Sequence, residues 1–225
     1  MKHDFQRPFS PPAGAREIIL VRHGSVDPPT RDGLIAGRSD PPLNAAGRRQ
    51  ARDLGARLAG ERVGALVTSP MRRAVETAAV AFERADIETR TVVELVEIFL
   101  GEWEGFGIAD RGRRGDPEFL RVMDEQRWDL IPGCEPLDAF ADRVGRSLDI
   151  AADAAPDGTV AVVVTHAAVI AEACRQVTRS TAFAFIQTAN GSLTRLVRMP
   201  GGRWVLLGFN ETSHLDSVGQ SHRHA

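Results

Sequence analysis

The sequence has few cysteines, no long apolar run and no excess of charge of either sign. Its 225 residues include 2 cysteines, Cys134 and Cys174, and neither belongs to a CxxC pair. This indicates neither a disulfide framework nor a zinc site, and it favours a reducing, cytoplasmic location. No stretch is long and apolar enough to cross a bilayer, and a net charge of −2 argues against a basic nucleic-acid-binding protein.

Neither end of the chain is expected to form a folded domain. Residues 1–15 contain prolines but no apolar core, so we expect a disordered lead-in and no secretory signal. Residues 216–225 are polar and are expected to form a flexible tail. Residues 16–215 are then expected to form one domain, because hydrophobic residues make up 43% of the chain and suffice for a sizeable core.

What the sequence does contain is an alternation of strand-like and helix-like segments. Strands are expected over residues 16–21, 65–69, 89–96 and 159–166, followed by a hairpin over residues 192–199 and 203–209. Helices with apolar positions three and four residues apart are expected between them. This order predicts an α/β fold, a three-layer sandwich with a mainly parallel central sheet and helices on both faces.

One segment interrupts that alternation. Between Gly101 and Gly133, glycine, proline and arginine are frequent and the aromatic residues are scattered. We interpret this segment, about residues 101–133, as an inserted and partly helical lid.

Residues suited to catalysis follow four of the expected strands. They are Arg22 and His23 after the first strand, Arg72 and Arg73 after the second, Glu97 after the third and His166 after the fourth. The carboxyl ends of parallel strands meet at one edge of the sheet, where ligands bind in open α/β sheets. A single histidine at a strand end is usually structural, but this joint placement favours an active site.

The set of residue types is suited to phosphoryl transfer. Arginine binds phosphate in a bidentate manner, and a neutral histidine can act as a covalent nucleophile. A carboxylic acid can protonate the departing oxygen. The sequence has no Walker loop, no GxGxxG at a strand end and no cluster of metal ligands. We therefore expect cationic side chains to take the place of a metal ion, with no cofactor.

Several segments, in order, resemble the histidine phosphatase superfamily, also called the phosphoglycerate mutase-like family. The resemblance covers the chain from about Arg16 to about Leu215. Its segments are LVRHG, GRSDPPLNAAGRRQA, TSPMRRAVETA, ELVEIFLGEWEG, PGCEPLDAFADRV, VVVTHAAVI, NGSLTRL and FNETSHL.

This resemblance implies a role for each matching residue. His23 would be the nucleophile that becomes phosphohistidine, and Arg22, Arg73 and His166 would form the phosphate pocket. Glu97 would be the proton donor.

Three positions keep an alternative interpretation. Arg72 is the alternative to Arg73, and Glu94 is the alternative to Glu97. Ser25 adds a hydroxyl donor to the phosphate, or it contributes only the polarity of a turn.

The chain departs from the family pattern around the mouth of the expected pocket. Residues 25–29 replace the usual Glu-Thr that follows RHG, Ala167 replaces a glycine after the second histidine, and Cys134 replaces a glycine. These departures remove no catalytic group, but they leave the choice of substrate open.

The expected lid carries residues that could contact a substrate. Arg111, Arg113 and Arg114 could capture a second anionic group, or they could belong to a solvated loop. Trp103 could stack on a ring-bearing substrate, or it could pack within the lid.

The resemblance implies a metal-independent phosphatase that acts on a small phosphorylated metabolite. The alternatives are a 2,3-bisphosphoglycerate-dependent phosphoglycerate mutase and a non-catalytic, phosphate-ligand-binding regulatory domain. We expect neither a nucleic-acid partner nor a membrane partner. A homodimer is compatible with the family, but no apolar stripe in the sequence identifies an interface.

Overall fold

The computed structural model describes residues 9–27, 37–105 and 108–215 of the chain. Within them, the strands are β1 (Arg16–Arg22), β2 (Val63–Thr68), β3 (Thr89–Thr91), β4 (Val160–Thr165), β5 (Leu193–Arg198) and β6 (Trp204–Glu211). The helices are α1 (Ala45–Leu58), α2 (Arg72–Ala81), α3 (Ile108–Arg113), α4 (Pro117–Glu125), α5 (Leu137–Ala154) and α6 (Ala167–Thr178). None of these helices in the described ranges is long and apolar enough to cross a membrane.

Some of the sequence predictions concern residues outside this description. The predicted lead-in over residues 1–15 is described only from residue 9, and the predicted tail over residues 216–225 lies wholly outside the described residues. The segment 28–36, which follows the RHG motif, also lies outside them.

The strands form a single mixed sheet in the order β3-β2-β4-β1-β5-β6. Strands β1 to β4 are mutually parallel where they pair, whereas β5 and β6 are antiparallel to their neighbours. The prediction of an α/β fold with a mainly parallel sheet and a closing hairpin is confirmed. Because β1 and β4 are adjacent and parallel, their carboxyl ends lie side by side.

Alternate residues of β1 build two separate cores, one on each face of the sheet. Ile18 and Leu20 pack on the side covered by α5 and α6, whereas Ile19 and Val21 pack against α1 and α2. All four side chains are fully buried. The continuous apolar run of β1 is thus explained, since a strand with helices on both faces has no side exposed to water. The predicted three-layer arrangement is confirmed.

The third strand is shorter than the sequence predicts. A strand was expected over residues 89–96, but β3 ends at Thr91 and a 3-10 turn follows over Val93–Leu95. The carbonyl groups of this turn bind side chains instead of a neighbouring strand, because Thr165 Oγ1 donates to Leu95 O at 2.9 Å. Propensity for extended structure was overridden here by tertiary hydrogen bonds.

The predicted lid segment contains α3, α4 and two 3-10 turns, at Gly101–Trp103 and Trp128–Leu130. Helix α4 begins at a well-formed cap, since Asp116 Oδ1 accepts from the backbone N–H of Glu118 at 2.9 Å and Pro117 occupies its first position. Val122, Ile131 and Trp103 join the core that α5 and α6 cover. The segment is therefore anchored to the main domain by buried side chains.

Candidate active site

The loop after β1 lies against the start of α1, and two glycines allow the close approach. A Cβ atom at Gly24 would lie 2.6 Å from the carbonyl oxygen of Gly47, and a Cβ at Gly47 would lie 2.1 Å from that of Ser25. Asn44 caps α1, since its Oδ1 accepts from Gly47 N at 2.8 Å. Side chains larger than glycine would push this loop, and His23 with it, away from the helix.

The main chain of His23 is held on both sides. Its N–H donates to Thr165 O at 2.9 Å, and its carbonyl accepts from Asn190 Nδ2 at 2.9 Å. The side chain is buried, with 5% of its surface exposed. The imidazole is therefore fixed at the point where β1 and β4 end.

The hydrogen bonds of the His23 ring define which nitrogen is free to react. Nδ1 lies 2.8 Å from Gly24 O, which can only accept, so Nδ1 carries the proton. Nε2 accepts from Arg73 Nε at 3.1 Å. Burial and the nearby Arg73 and Arg22 guanidiniums hold the pKa of His23 well below its usual value. The ring is thus neutral, with its lone pair on Nε2, as a nucleophile requires.

Arg73 is buried beside His23 and aimed by main-chain carbonyls. Its Nη1 and Nη2 donate to Ser39 O and Gly37 O, each at 2.8 Å, and the residue is 1% exposed. Arg72 instead pairs with Glu76 on the surface, with Nε and Oε1 2.7 Å apart. The structure therefore places Arg73, and not Arg72, against the histidine.

Arg22 and His166 each present a buried nitrogen without a partner among the described residues. Arg22 Nη1 donates to Thr188 O, but its Nε has no hydrogen-bond partner. His166 Nε2 lies 2.8 Å from Ser69 Oγ, whereas its Nδ1 has none. An unsatisfied buried nitrogen is costly unless a ligand binds it. The His166 and His23 ring centroids are 5.2 Å apart, so these groups line one small polar site.

Glu97 is the carboxyl group that the structure brings to this site. Its Oε1 accepts from Ile98 N at 3.0 Å and its Oε2 from Ala168 N at 3.4 Å, just after His166. Burial raises the pKa of Glu97, and the charge of Arg73 opposes that rise. A raised pKa favours the protonated acid that a proton donor needs. Glu94 contributes its main-chain carbonyl to Arg143.

Three other candidate ligand contacts, Ser25, Trp103 and Arg111, bond to residues of the protein. Ser25 Oγ accepts from Asn44 Nδ2 at 3.3 Å, so the hydroxyl is tied to the cap of α1. Trp103 is only 1% exposed and its Nε1 donates to Glu118 at 3.2 Å. Arg111 lies over the Trp103 ring, 4.8 Å from its centroid, and pairs with Asp116.

Trp103 and Arg111 are therefore internal to the lid segment, and stacking of Trp103 on a substrate would require the lid to unpack. The proposed substrate contacts therefore exclude these two residues. Arg113 and Arg114 are exposed on the lid.

Sequence reasoning missed the residues that support the site from behind. Ser69, Asn190 and Arg143 each bond to a site residue or to its backbone. A signal for Arg143 does exist in the sequence. It lies three residues after Phe140 and four before Ser147, on the apolar stripe of α5, where a charged residue needs a buried partner.

The comparisons with known proteins agree with this geometry. A model of the histidine phosphatase superfamily (branch 1) matches residues 18–212, and the chain belongs to this superfamily. Phosphoglycerate mutase-like protein 4 of Arabidopsis thaliana is 31% identical over 207 residues, which cover 90% of this chain and 88% of that protein. A metal-independent phosphoserine phosphatase of the same plant is 30% identical over 207 residues, covering 90% and 84%.

A solved structure shows the same architecture. YhfR of Bacillus stearothermophilus superposes with a TM-score of 0.78 at 25% sequence identity, over 89% of this chain and 99% of that protein. Together these findings confirm the predicted class of enzyme, a histidine phosphatase that hydrolyses phosphate monoesters.

Proposed function

We propose that the protein hydrolyses small phosphate monoesters without a metal ion, through a phosphohistidine formed on His23. The observation that carries this proposal is the state of the His23 ring, neutral, with its proton held by Gly24 O and with Nε2 against Arg73. Arg22, Arg73 and His166 surround that nitrogen with donors for the equatorial oxygens of a phosphoryl group.

In the first step, His23 Nε2 attacks phosphorus in line with the ester bond. The N–P bond forms as the P–O bond to the alcohol breaks, and Glu97 delivers its proton to the departing oxygen. Arg73 exchanges its hydrogen bond to Nε2 for one to a phosphate oxygen. The raised pKa of Glu97, caused by burial, supplies the protonated acid for this step.

In the second step, the Glu97 carboxylate takes a proton from water and the water oxygen attacks the phosphohistidine. The P–N bond breaks, its electron pair returns to Nε2, and inorganic phosphate leaves. Glu97 is again protonated and His23 is again neutral, so the cycle closes without a net change in the enzyme.

The substrate is proposed to be a small phosphorylated metabolite. A metal-independent phosphoserine phosphatase is among the relatives of this chain, which supports small hydroxy-acid phosphates as the first esters to test. We further propose that Arg113 and Arg114, which are exposed on the predicted lid segment, capture a second anionic group of the substrate.

The test is phosphate release from p-nitrophenyl phosphate and a panel of metabolite esters, with EDTA present. Wild type should turn over, and His23→Ala should not. Arg73→Ala should lose activity, whereas its exposed neighbour Arg72→Ala serves as the matched control and should keep it. Quenching in alkaline denaturant should also trap a phosphoenzyme that is stable to base and labile to acid, as a phosphoramidate is.

The other outcomes point to the alternative functions. Phosphate transfer between phosphoglycerates that depends on 2,3-bisphosphoglycerate would indicate a mutase. Binding of phosphate or vanadate without turnover of any ester would indicate a regulatory domain. A homodimer remains a prediction, to be checked by light scattering.

A further inference from the structure

The segment that carries Glu97 is held by a buried arginine from another part of the fold. Arg143, on α5, is 8% exposed. Its Nη1 donates to Glu94 O at 2.7 Å and to Val96 O at 2.6 Å, and its Nη2 donates to Glu97 O at 3.2 Å. One guanidinium thus binds the main chain within the 3-10 turn, directly after it and at Glu97 itself.

Glu135 holds that guanidinium in place from the opposite side. Its Oε1 accepts from Arg143 Nε at 2.6 Å and its Oε2 from Arg143 Nη2 at 2.9 Å, which is a bidentate pair. The same Oε2 accepts from Phe99 N at 3.3 Å and from Arg38 Nη2 at 3.2 Å. The Glu135 carboxylate therefore joins α5 to the chain after Glu97.

These bonds matter because the Glu97 segment lacks the support of the sheet. Strand β3 ends at Thr91, and the chain then runs through a 3-10 turn before it reaches Glu97. A loop can place a catalytic group accurately only if other side chains fix its backbone. Arg143 and Glu135 supply this, because charged partners make the strongest hydrogen bonds and a forked guanidinium also fixes direction.

We propose that Arg143 and Glu135 are positioning residues that hold the Glu97 carboxyl at the leaving-group oxygen. This inference rests on the proposed function of Glu97 as the proton donor. Among the described residues, the structure shows no hydrogen bond from Arg143 or Glu135 to the side chains of Arg22, His23, Arg73 or His166. Their loss is therefore expected to weaken proton donation, while the nucleophile and the phosphate contacts keep their geometry.

The dependence of kcat/KM on the leaving group separates this role from a general structural one. The ratio kcat/KM reports the steps up to departure of the alcohol, so the later hydrolysis of phosphohistidine does not affect it. Esters of nitrophenols leave as stable anions and need little protonation, whereas alkyl phosphates need the acid. Loss of a positioned general acid should thus spare aryl esters and slow alkyl esters.

The experiment measures kcat/KM for a series from p-nitrophenyl phosphate to simple alkyl phosphates, with wild type, Glu135→Gln, Arg143→Lys and Glu97→Gln. We call Glu135→Gln and Arg143→Lys the clamp variants. Their kcat/KM for p-nitrophenyl phosphate should change by no more than about threefold, and their kcat/KM for alkyl esters should fall by about tenfold or more. Glu97→Gln should show the same pattern with a larger fall. Circular dichroism and thermal melting establish that each variant is folded.

A matched control is the half-buried pair of Arg195 with Glu61, whose Nη2 and Oε1 are 2.7 Å apart and which does not contact the Glu97 segment. Glu61→Gln should lower the melting temperature and leave the leaving-group dependence unchanged. The positioning role is wrong, and the proposed function stands, if the clamp variants lower kcat/KM equally for aryl and alkyl esters. The same holds if they keep the wild-type leaving-group dependence while Glu97→Gln makes it steeper. If Glu97→Gln itself keeps the wild-type dependence, the acid assignment fails, and the clamp role fails with it.

Discussion

His23 and Glu97 lie at the same edge of the sheet, but two different kinds of structure hold them. His23 directly follows β1, which pairs with β4 on one side and β5 on the other and is buried on both faces. Glu97 lies beyond the end of the short edge strand β3 and just after a 3-10 turn, in a segment whose carbonyls bind side chains. The main chain at the nucleophile takes its position from the sheet, whereas the main chain at the acid takes its position from side-chain hydrogen bonds.

Because His23 and Glu97 are held differently, different substitutions should disturb nucleophilic attack and proton donation. The end of β1 is held on both sides by backbone hydrogen bonds to β4 and β5, so distant changes should move it little. The acid depends on a few charged side chains, and a single substitution there can move it. Variants on the nucleophile side should therefore affect all esters alike, and variants on the acid side should affect esters according to their leaving groups.

The largest effect is expected for the nucleophile. His23→Ala removes the atom that forms the bond to phosphorus, so kcat/KM should fall by roughly 10³-fold or more for aryl and alkyl esters alike. Phosphate release and trapping of the phosphoenzyme measure this loss. A variant that still formed an acid-labile phosphoenzyme would show that another residue accepts the phosphoryl group.

A somewhat smaller effect is expected for the arginine that faces the nucleophile. Arg73→Lys keeps one charge but loses the fork that binds Gly37 O, Ser39 O and the His23 ring. We expect kcat/KM to fall by roughly 10²-fold for every ester, with the leaving-group dependence unchanged. Arg72→Lys, at the adjacent exposed position, is the control and should stay near wild type. Equal losses in the two variants would contradict the placement of Arg73.

The same contrast explains how much of the molecule the sequence could predict. Arg22, His23 and His166 follow apolar runs whose burial dictates a strand, so the sheet edge could be predicted from hydrophobicity alone. The path of residues 92–97 could not, because it depends on bonds to Arg143 and Thr165 from distant parts of the chain. The sequence left open whether Trp103 stacks on a substrate or packs within the lid for a similar reason, since the residues that bury it cannot be identified from its neighbours in the sequence.

The pH dependence should sharpen the comparison, because the pKa of His23 is lowered whereas the pKa of Glu97 is raised. The pKa of His23 lies well below 6.5, mainly through burial, so the nucleophile stays neutral as the pH falls below 6.5. The pKa of Glu97 is raised, so kcat/KM for alkyl esters should decline only as the pH rises through that raised value. Glu97→Gln should abolish this alkaline decline. A decline that persists in the variant would assign it to another group.

The raised pKa of Glu97 should also make the free energy of unfolding depend on pH. Because the folded-state pKa of Glu97 is above its unfolded value, the native state binds the proton more tightly, and the free energy of unfolding falls as the pH rises from the unfolded pKa through the folded one. Above that window, ionised Glu97 is a cost to the fold. The melting temperature of Glu97→Gln should therefore rise relative to that of wild type as the pH increases through that window, while the variant loses activity. A difference in melting temperature that stayed constant with pH across that window would contradict the raised pKa.

The smallest effect is expected at Asn210, which supports the phosphate side indirectly. Its Oδ1 accepts from Ala189 N at 2.8 Å and its Nδ2 donates to Gln187 O at 3.2 Å. These bonds bracket Thr188, whose carbonyl accepts from Arg22 Nη1. Without them, Arg22 loses part of its support, so Asn210→Gly should raise KM by about threefold to tenfold and leave the leaving-group dependence unchanged.

Glycine is the informative replacement at this position because Asn210 has a φ of 54°, in the left-handed region. Asn210→Gly removes the two side-chain bonds without adding backbone strain, whereas Asn210→Ala adds the strain and should be less stable by about 1 kcal/mol further. Steady-state kinetics and thermal melting separate the two contributions. A wild-type KM in Asn210→Gly would show that Asn210 does not support Arg22, and a changed leaving-group dependence would show that the phosphate side and the acid side are not held independently.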